Sequence, residues 1–389
     1  MSEPVPTTIP QSSPGREAAA IRAELDAAIA RVIESGWFIL GREVEAFEMA
    51  FAAWLGVREA VGVANGTDAV ELALRAIGVG PGDAVYTVSH TAVASAAAIE
   101  RTGAVPVFVD TDDDTFTLDP ARLAEAIAAD ARHGGARPRA VLPVHLYGHP
   151  AAMPAILDVA RGAGLAVVED CAQAHGTRLD GRMAGTFAAV AAFSFYPTKN
   201  LGALGDGGLV ATGDPAIAAR IRELRQYGWR ERYVSAEPGF NSRLDELQAA
   251  MLRVKLEHLD AGNERRRAIA ARYDLGLDGL GEVIRRPVVA PGAVHTYHQY
   301  VIRTPRRASL AAALAGQGIG NAIHYPVPVH LQPAYRGRVP CPLPLPVTER
   351  HAAEILSLPM FPTLTDNEVD RVAAAVRRWA SGGDSGAPG

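Results

Sequence analysis

From residue 60 to residue 195 the sequence repeats one pattern, a short apolar run followed by a stretch with helical spacing. Residues 60–63 read as a strand, and residues 68–77 as a helix closed by Gly78. Residues 84–88 and 105–109 read as strands around a helix at 91–101. Asp119-Pro120 supplies a helix cap followed by a proline at the first helical position. A strand at 141–144, a helix at 154–161 and strands at 165–169 and 190–195 continue the alternation. Strands interleaved with helices at this spacing predict a mostly parallel α/β sheet covered by helices on both faces. Ligands in such sheets bind at the C-terminal ends of strands. Three stretches stand there: Asn65-Gly66-Thr67, Asp170-Cys171-Ala172-Gln173, and Ser194 to Lys199.

The flanks add helices and a second domain. Ile21, Leu25, Ile29 and Ile33 predict one amphipathic helix over 16–34, stopped by Ser35-Gly36. Residues 37–41 form an apolar cluster with no clear period, either a satellite core under a loop or a binding-site wall. Val44, Phe47, Phe51 and Leu55 mark another helix. Residues 241–275 read as a long helical stretch that joins the sheet domain to a smaller C-terminal α+β domain. Strands are expected there at 300–302 and 322–324, and helices at 349–356 and 367–379. The expected organisation is a flexible start (1–15), a large domain (16–255), a small domain (256–380) and a disordered tail (381–389).

Composition excludes several classes. With 48% apolar and 21% charged residues the chain can bury a large core, and its net charge of −5 gives no reason to propose nucleic acid or an anionic membrane as partner. Cys171 and Cys341 offer no disulfide framework. The opening is polar and Pro-rich, and no apolar run approaches the ~20 residues that span a bilayer. A soluble cytoplasmic protein is expected.

Lys199 follows an apolar strand and precedes four glycines, a setting that can lower an amine's pKa and make it a nucleophile. By itself it reads equally well as a solvated loop lysine. Asn65-Gly66-Thr67 marks a strand passing into a helix, where amides and helix dipole favour a phosphate and Thr67 can cap the helix. Alone it fits an ordinary helix cap better. Glu169 and Asp170 end a strand and alternate in direction, so at most one faces a cleft. Only His175 stands near enough to suggest a metal, so no metal is expected. The run 202–208 lacks the Gly-Lys-Ser/Thr ending of a nucleotide-triphosphate loop, and 78–82 follows a helix, so neither nucleotide motif holds. Taken together, an anion cradle at Gly66-Thr67 and Ser194, an acid at Asp170 and an amine at Lys199 are the contacts that pyridoxal phosphate requires.

With those residues in view, the chain resembles the DegT/DnrJ/EryC1/StrS sugar aminotransferases, a family of fold-type I pyridoxal-phosphate enzymes. The resemblance runs from about residue 16 to about residue 380. It is carried by Gly36 to Gly41, Val63 to Ala69, Glu169 to Gly176, Phe193 to Gly208, Gly239 to Gln248, and His324-Tyr325-Pro326. It implies that Lys199 holds the cofactor as an imine and shuttles the proton, that Asp170 pairs with the ring nitrogen, and that Gln173 lies near the ring hydroxyl. Gly66, Thr67 and Ser194 would hold the phosphate. Asn241 would reach the cofactor of a partner subunit, making a homodimer with shared active sites. His324, Tyr325, Tyr196 and Trp37 would border the sugar; for His324 a packed, structural histidine is an equal alternative. Arg232 and Arg243 are candidates for a diphosphate, with Tyr233 beside them.

Three departures sharpen the expectation. Tyr196 stands where many members carry histidine, Ala92 where many carry an aromatic over the ring, and Cys171 where alanine is common. The loss of an aromatic at Ala92 leaves open what stacks on the cofactor face, and His90 is one candidate. Tyr196, Ala92, the 198–208 run and the 226–233 run resemble the branch acting at C3 of dTDP-3-keto-deoxysugars. The expected reaction loads an amine from L-glutamate, releasing 2-oxoglutarate, and transfers it to a dTDP-linked 3-keto-6-deoxyhexose. A C4-ketosugar or keto-cyclitol aminotransferase and a catalytically silent cofactor-binding regulator are the alternatives. A family dehydrase would carry histidine in place of Lys199.

Overall fold

The computed structural model describes residues 8–133 and 135–382. Five strands, Glu59–Val63 (β1), Asp83–Val88 (β2), Val105–Val109 (β3), Arg137–Leu142 (β4) and Ala166–Asp170 (β5), lead to a short hairpin of Arg178–Leu179 (β6) and Arg182–Met183 (β7). Val190–Ser194 (β8) and Gly208–Thr212 (β9) then complete a seven-stranded sheet of order β1-β9-β8-β5-β4-β2-β3. Pairing is parallel from β8 across to β3. β9 runs antiparallel to both β8 and β1, so it alone opposes the other six.

Alternation along each strand feeds two cores. In β8, Val190 and Ala192 join one apolar cluster while Ala191 and Phe193 join the cluster on the opposite face. Val141 of β4 and Val167 of β5 likewise face away from Leu142 and Val168. Because helices cover both faces, β2, β8 and β9 are buried along their whole length and are mostly apolar on both faces.

The helices are Pro14–Ala20 (α1), Arg22–Ser35 (α2), Arg42–Leu55 (α3), Gly66–Ala76 (α4), Val93–Arg101 (α5), Pro120–His133 (α6), Met153–Gly162 (α7), Pro215–Leu224 (α8) and Glu246–Gly276 (α9). α4 and α8 pack on one face of the sheet, and α6 and α7 on the other. α3 and the first half of α9 cover β8 and β9 on that second face. The Glu246 carboxylate at the start of α9 accepts from the amides of Gly41, Glu43 and Val44, so one helix's first residue caps another's N-terminus.

A hairpin of Trp229–Glu231 (β10) and Val234–Ser235 (β11) projects after α8, and Ala293–Val294 (β12) pairs with β6. The second core gathers the C-terminal half of α9, the antiparallel strands Tyr300–Arg303 (β13) and Ile355–Leu358 (β14), and helices Arg307–Ala315 (α10) and Asp366–Ser381 (α12). Pro346–Glu354 (α11) leads into β14.

Several expectations change. The single helix over 16–34 breaks at Ile21, because α1 turns to the second core, where Arg16 binds Glu368, while α2 lies on α9. The start is not free from residue 8 onward: Ile9 is 1% exposed, and Ile9 and Gly318–Gly320 exchange backbone hydrogen bonds. Residues 1–7, and 383–389 of the tail, lie outside the described residues, and Ser381 is the last residue of α12. The expected helix at 349–356 ends at Glu354, since the fully buried Ile-Leu-Ser-Leu run pairs with β13; the expected strand at 322–324 is a single bridge from Ala322 to Ser357. The expected boundary at 255 falls inside α9, whose Leu259 still packs in the sheet domain while Ile269 packs in the second core. Among the described residues no helix is long and apolar enough to cross a membrane.

Candidate active site

A cavity of about 440 Å³ opens at the C-terminal ends of β1, β5 and β8. Gly66, Thr67, Asp170, Gln173, Ser194, Tyr196 and Lys199 all line it, so the three stretches singled out by the strand-end rule meet in one place. The approach of α4 to the sheet requires glycine. A Cβ on Gly66 would lie 2.5 Å from Ser194 Cβ, and one on Gly208 would lie 2.2 Å from the Asn65 carbonyl oxygen. The cap of α4 is Asn65, whose side chain accepts from the Asp68 amide, and not Thr67. That leaves the Gly66 and Thr67 amides at the start of an eleven-residue helix, and the Thr67 hydroxyl, available to an anion.

Strand alternation separates the two carboxylates as expected. Asp170 lines the cavity, where Ser95 Oγ donates to Oδ2 at 2.8 Å and the Ala172 amide to Oδ1 at 3.1 Å. Glu169 turns the other way and accepts from the amides of Gly185 and Ala188 and from His145 Nε2. His145, Glu169 and Cys171 place ligand-type atoms within 4.8 Å of one another, a grouping the sequence did not suggest. Both Glu169 oxygens are already occupied by N–H donors and His145 Nδ1 accepts from Ala151, so the group fits a hydrogen-bonded core.

Lys199 sits in a turn after β8, its amide bonded to the Tyr196 carbonyl. Burial lowers its amine to about 8, partly opposed by Asp170. The loop is held from behind. Asn200 Nδ2 donates to Asn263 Oδ1 of α9 at 2.8 Å and to the Thr296 carbonyl at 3.1 Å, and Lys255 donates to the Gly202 carbonyl. His175 packs between Phe193 and Phe195, and burial together with the Lys199 charge pushes it down to about 3. No second cation is therefore added behind the lysine at working pH.

Gln173 joins the cavity to the small domain. Its Oε1 accepts from the Tyr147 amide at 2.7 Å, and its Nε2 donates to Tyr325 Oη at 3.2 Å. His324 Nδ1 is bonded to Ser357 Oγ, and burial and Lys199 together push the imidazole to about 4.

Other expectations do not converge on this cavity. His90 is not available to stack on a ligand: it lies behind the wall, packed on Tyr147, Phe116 and His351. Ala92 itself lines the cavity. Trp37 is 61% exposed and away from the cavity, its indole donating to the Ile39 carbonyl, so the 37–39 cluster is not a buried satellite core. Arg232 and Tyr233 stack on each other at the tip of the β10–β11 hairpin, with Tyr233 72% exposed, and Asn241 is exposed. Within one chain none of these reaches Lys199. Ser95, Thr91, Arg101, Asp206 and Tyr147 were not read from the sequence. For Ser95 a cue existed, a lone hydroxyl in the alanine-rich Val93-Ala94-Ser95-Ala96-Ala97-Ala98 run.

The cavity fits pyridoxal phosphate on its own geometry. A Cβ at Gly66 would close the anion cradle, Asp170 is fixed by two donors on the floor, and Lys199 offers a desolvated amine.

Over residues 19–377 the chain matches the DegT/DnrJ/EryC1/StrS aminotransferase family. It is 52% identical over 360 residues to the dTDP-3-amino-3,4,6-trideoxy-alpha-D-glucose transaminase of Streptomyces venezuelae, covering 92% of this chain and 93% of that one. The transaminase of the same name from Micromonospora megalomicea subsp. nigra is 47% identical over 368 residues, covering 93% and 96%. The crystal structure of S. venezuelae DesV in complex with a ketimine intermediate superposes with a TM-score of 0.92 at 50% identity, covering 97% of this chain and 100% of that one. With its three strand-end motifs in one cavity, the chain belongs to the DegT/DnrJ/EryC1/StrS aminotransferase family.

Proposed function

We propose that this chain is a pyridoxal-phosphate aminotransferase that moves the amino group of L-glutamate to C3 of a dTDP-linked 3-keto-6-deoxyhexose. The observation that carries the proposal is the Lys199 amine, lowered by burial to about 8 and facing Asp170 in the cavity where α4 begins. When bound, the cofactor supplies an electron sink for the carbanion adjacent to the transferred nitrogen. Gly66, Thr67 and Ser194 would hold its phosphate, Asp170 would pair with the ring nitrogen, and Gln173 would lie beside the ring hydroxyl. Lys199 Nζ carries the proton between the donor or acceptor carbon and the site, a task suited to an amine with pKa near working pH. The names of the two relatives, both dTDP-3-amino-sugar transaminases, support C3 as the acceptor carbon.

The working unit in this reading is a homodimer. Trp37, Phe38, Ile39 and Leu204 leave apolar surface exposed, which supports cover by a second copy, and exposed Asn241 is then free to reach the partner's cofactor. Tyr196, at the cavity mouth, borders the sugar along with His324 and Tyr325. Trp37, Arg232 and Tyr233 complete the sugar-nucleotide site across that interface. Cys171 and Cys341 are both free thiols, which supports a reducing, cytoplasmic setting.

Incubation with dTDP-3-keto-6-deoxyglucose and L-glutamate, with products identified by mass and NMR, tests the assignment. A 3-amino product is expected. A 4-amino product overturns the regiochemistry, and no spectral response to L-glutamate sinks the aminotransferase reading in favour of a silent regulator.

A further inference from the structure

Tyr147 sits in the short turn Leu146–Gly148 after β4 with φ 59° and ψ 2°, a left-handed conformation that tyrosine rarely adopts. Each of its polar groups is used. The amide donates to Gln173 Oε1 on the cavity wall, the carbonyl accepts from the Gln299 amide, and the buried hydroxyl donates to the His324 carbonyl. The following glycine cannot be replaced without a clash, because a Cβ on Gly148 would lie 2.6 Å from Thr296 Oγ1.

The direction of the hydroxyl's bonds follows from the atoms. The His324 carbonyl can only accept, so the phenol donates to it. His90 Nε2, 2.8 Å from the same oxygen, must then carry the hydrogen, which leaves Nδ1 bare; that atom is buried and has no partner. Burial, with the charges of His351 and Arg303, pushes His90 down to about 3, which keeps it in this neutral form at working pH. Gln173, held on one side by the Tyr147 amide, donates on the other to Tyr325 Oη. One tyrosine thus grips both members of the small domain's His324-Tyr325 pair, the first directly and the second through Gln173.

We propose that Tyr147, oriented by His90, is a positioning residue that fixes His324-Tyr325 against Gln173 and thereby shapes the acceptor-sugar side of the cavity. It touches neither cofactor nor reacting atoms. The inference rests on the reading above, in which His324 and Tyr325 border the sugar.

Two measurements test it. In the protein without substrate, amide exchange by mass spectrometry over residues 322–326 should quicken at least about tenfold in Tyr147→Phe and His90→Leu. It should stay at the wild-type rate in His90→Gln, whose amide nitrogen replaces the Nε2 donor. In the holoenzyme, Tyr147→Phe should lower kcat/KM for the ketosugar about ten- to a hundredfold. The spectral half-reaction with L-glutamate should remain within about threefold of wild type, since a small displacement of the sugar wall leaves Lys199 in place. Unchanged exchange in both Tyr147→Phe and His90→Leu overturns the proposal, as does a parallel loss in the two half-reactions. If Tyr147→Phe does not fold, the His90 pair decides alone: wild-type behaviour of His90→Leu overturns the proposal, and loss in His90→Leu with recovery in His90→Gln supports it. A wild-type protein silent toward L-glutamate fails the aminotransferase reading, whereas the exchange measurement judges Tyr147 independently.

Discussion

Gly66, Asp170, Ser194 and Lys199 reach the cavity directly from strand ends, whereas its small-domain wall is held by residues scattered from His90 to Ser357. On the floor each contact is prepared by a few consecutive residues: Asn65 caps α4 beside Gly66, and β5 ends on Asp170. On the wall, Asp113 from the loop after β3 accepts from Arg285 of the small domain at 2.8 Å and from Arg303 and Arg350 at 2.7 Å, with His351 Nε2 at 3.2 Å. The His351 ring then packs on His90, which supports Tyr147 and through it His324. The floor is local and rigid by topology; the wall is a long-range network of charge and buried imidazole. The two should therefore fail under different insults.

The largest effect belongs to the floor. Lys199→Ala should reduce turnover at least about 10⁴-fold while leaving the melting temperature near wild type. Steady-state rates and a thermal melt check both halves, and residual turnover near wild type would break the assignment of the floor.

Acid should strike the wall first. Burial lowers His90, His149, His175, His295, His298, His324 and His351, and His90, His324 and His351 belong to the wall. A base depressed in the fold stays neutral there while the unfolded chain takes up a proton near pH 6.5. Its contribution is therefore present above about pH 6.5 and is lost as pH falls toward the folded value. Each such group steepens the loss by as much as about 1.4 kcal/mol per pH unit. Urea unfolding between pH 7.5 and 5 should show stability falling from about pH 6.5 downward. A flat profile over that range would erase the contrast.

Removing the central anion isolates the wall's charge network. Burial alone would raise the Asp113 carboxyl, but hydrogen bonds from Arg350, Arg285 and Arg303 outweigh it and hold the group below the usual carboxylate range. Its stabilisation is thus full above about pH 4 and is lost as pH falls below that. Asp113→Ala leaves Arg303, nearly buried, without one of its two carboxylate partners and should cost roughly 2–3 kcal/mol by urea unfolding at neutral pH. A loss below about 0.5 kcal/mol would mean that the wall stands without this anion.

The smallest test returns to the floor. Gly66→Ala should cost about 1–2 kcal/mol, because its Cβ would meet Ser194 Cβ at 2.5 Å and Oγ at 2.8 Å. Adding Ser194→Gly should return much of that stability while weakening pyridoxal phosphate binding, read by melts with and without the cofactor.

Much of this contrast tracks what the sequence makes legible. The strand-helix alternation, the strand-end positions and the floor residues were all readable, because period and turn chemistry are local properties of the chain. β14 was misread as the end of a helix, since four apolar residues after a helix carry no period of their own and became a strand by pairing with β13. The break at Ile21 had no local signal either; α1 is tied to α12 through Arg16 and Glu368, whereas α2 packs Ala28 and Val32 on α9. His90, one candidate for the cofactor face from its place near Ala92, instead packs its ring into the Tyr147–Phe116–His351 cluster.

By itself, then, the sequence determined a parallel-sheet enzyme with a lysine, a carboxylate and a glycine-led helix start at neighbouring strand ends, because each of those features is written in a few adjacent residues. Only the tertiary structure decided that Asp170 is held by Ser95 and that Tyr147 ties the large domain to His324 and Tyr325. Those contacts join residues dozens to hundreds of positions apart. Their partners are selected by burial and by the need to satisfy every enclosed donor and acceptor, which no stretch of sequence expresses alone.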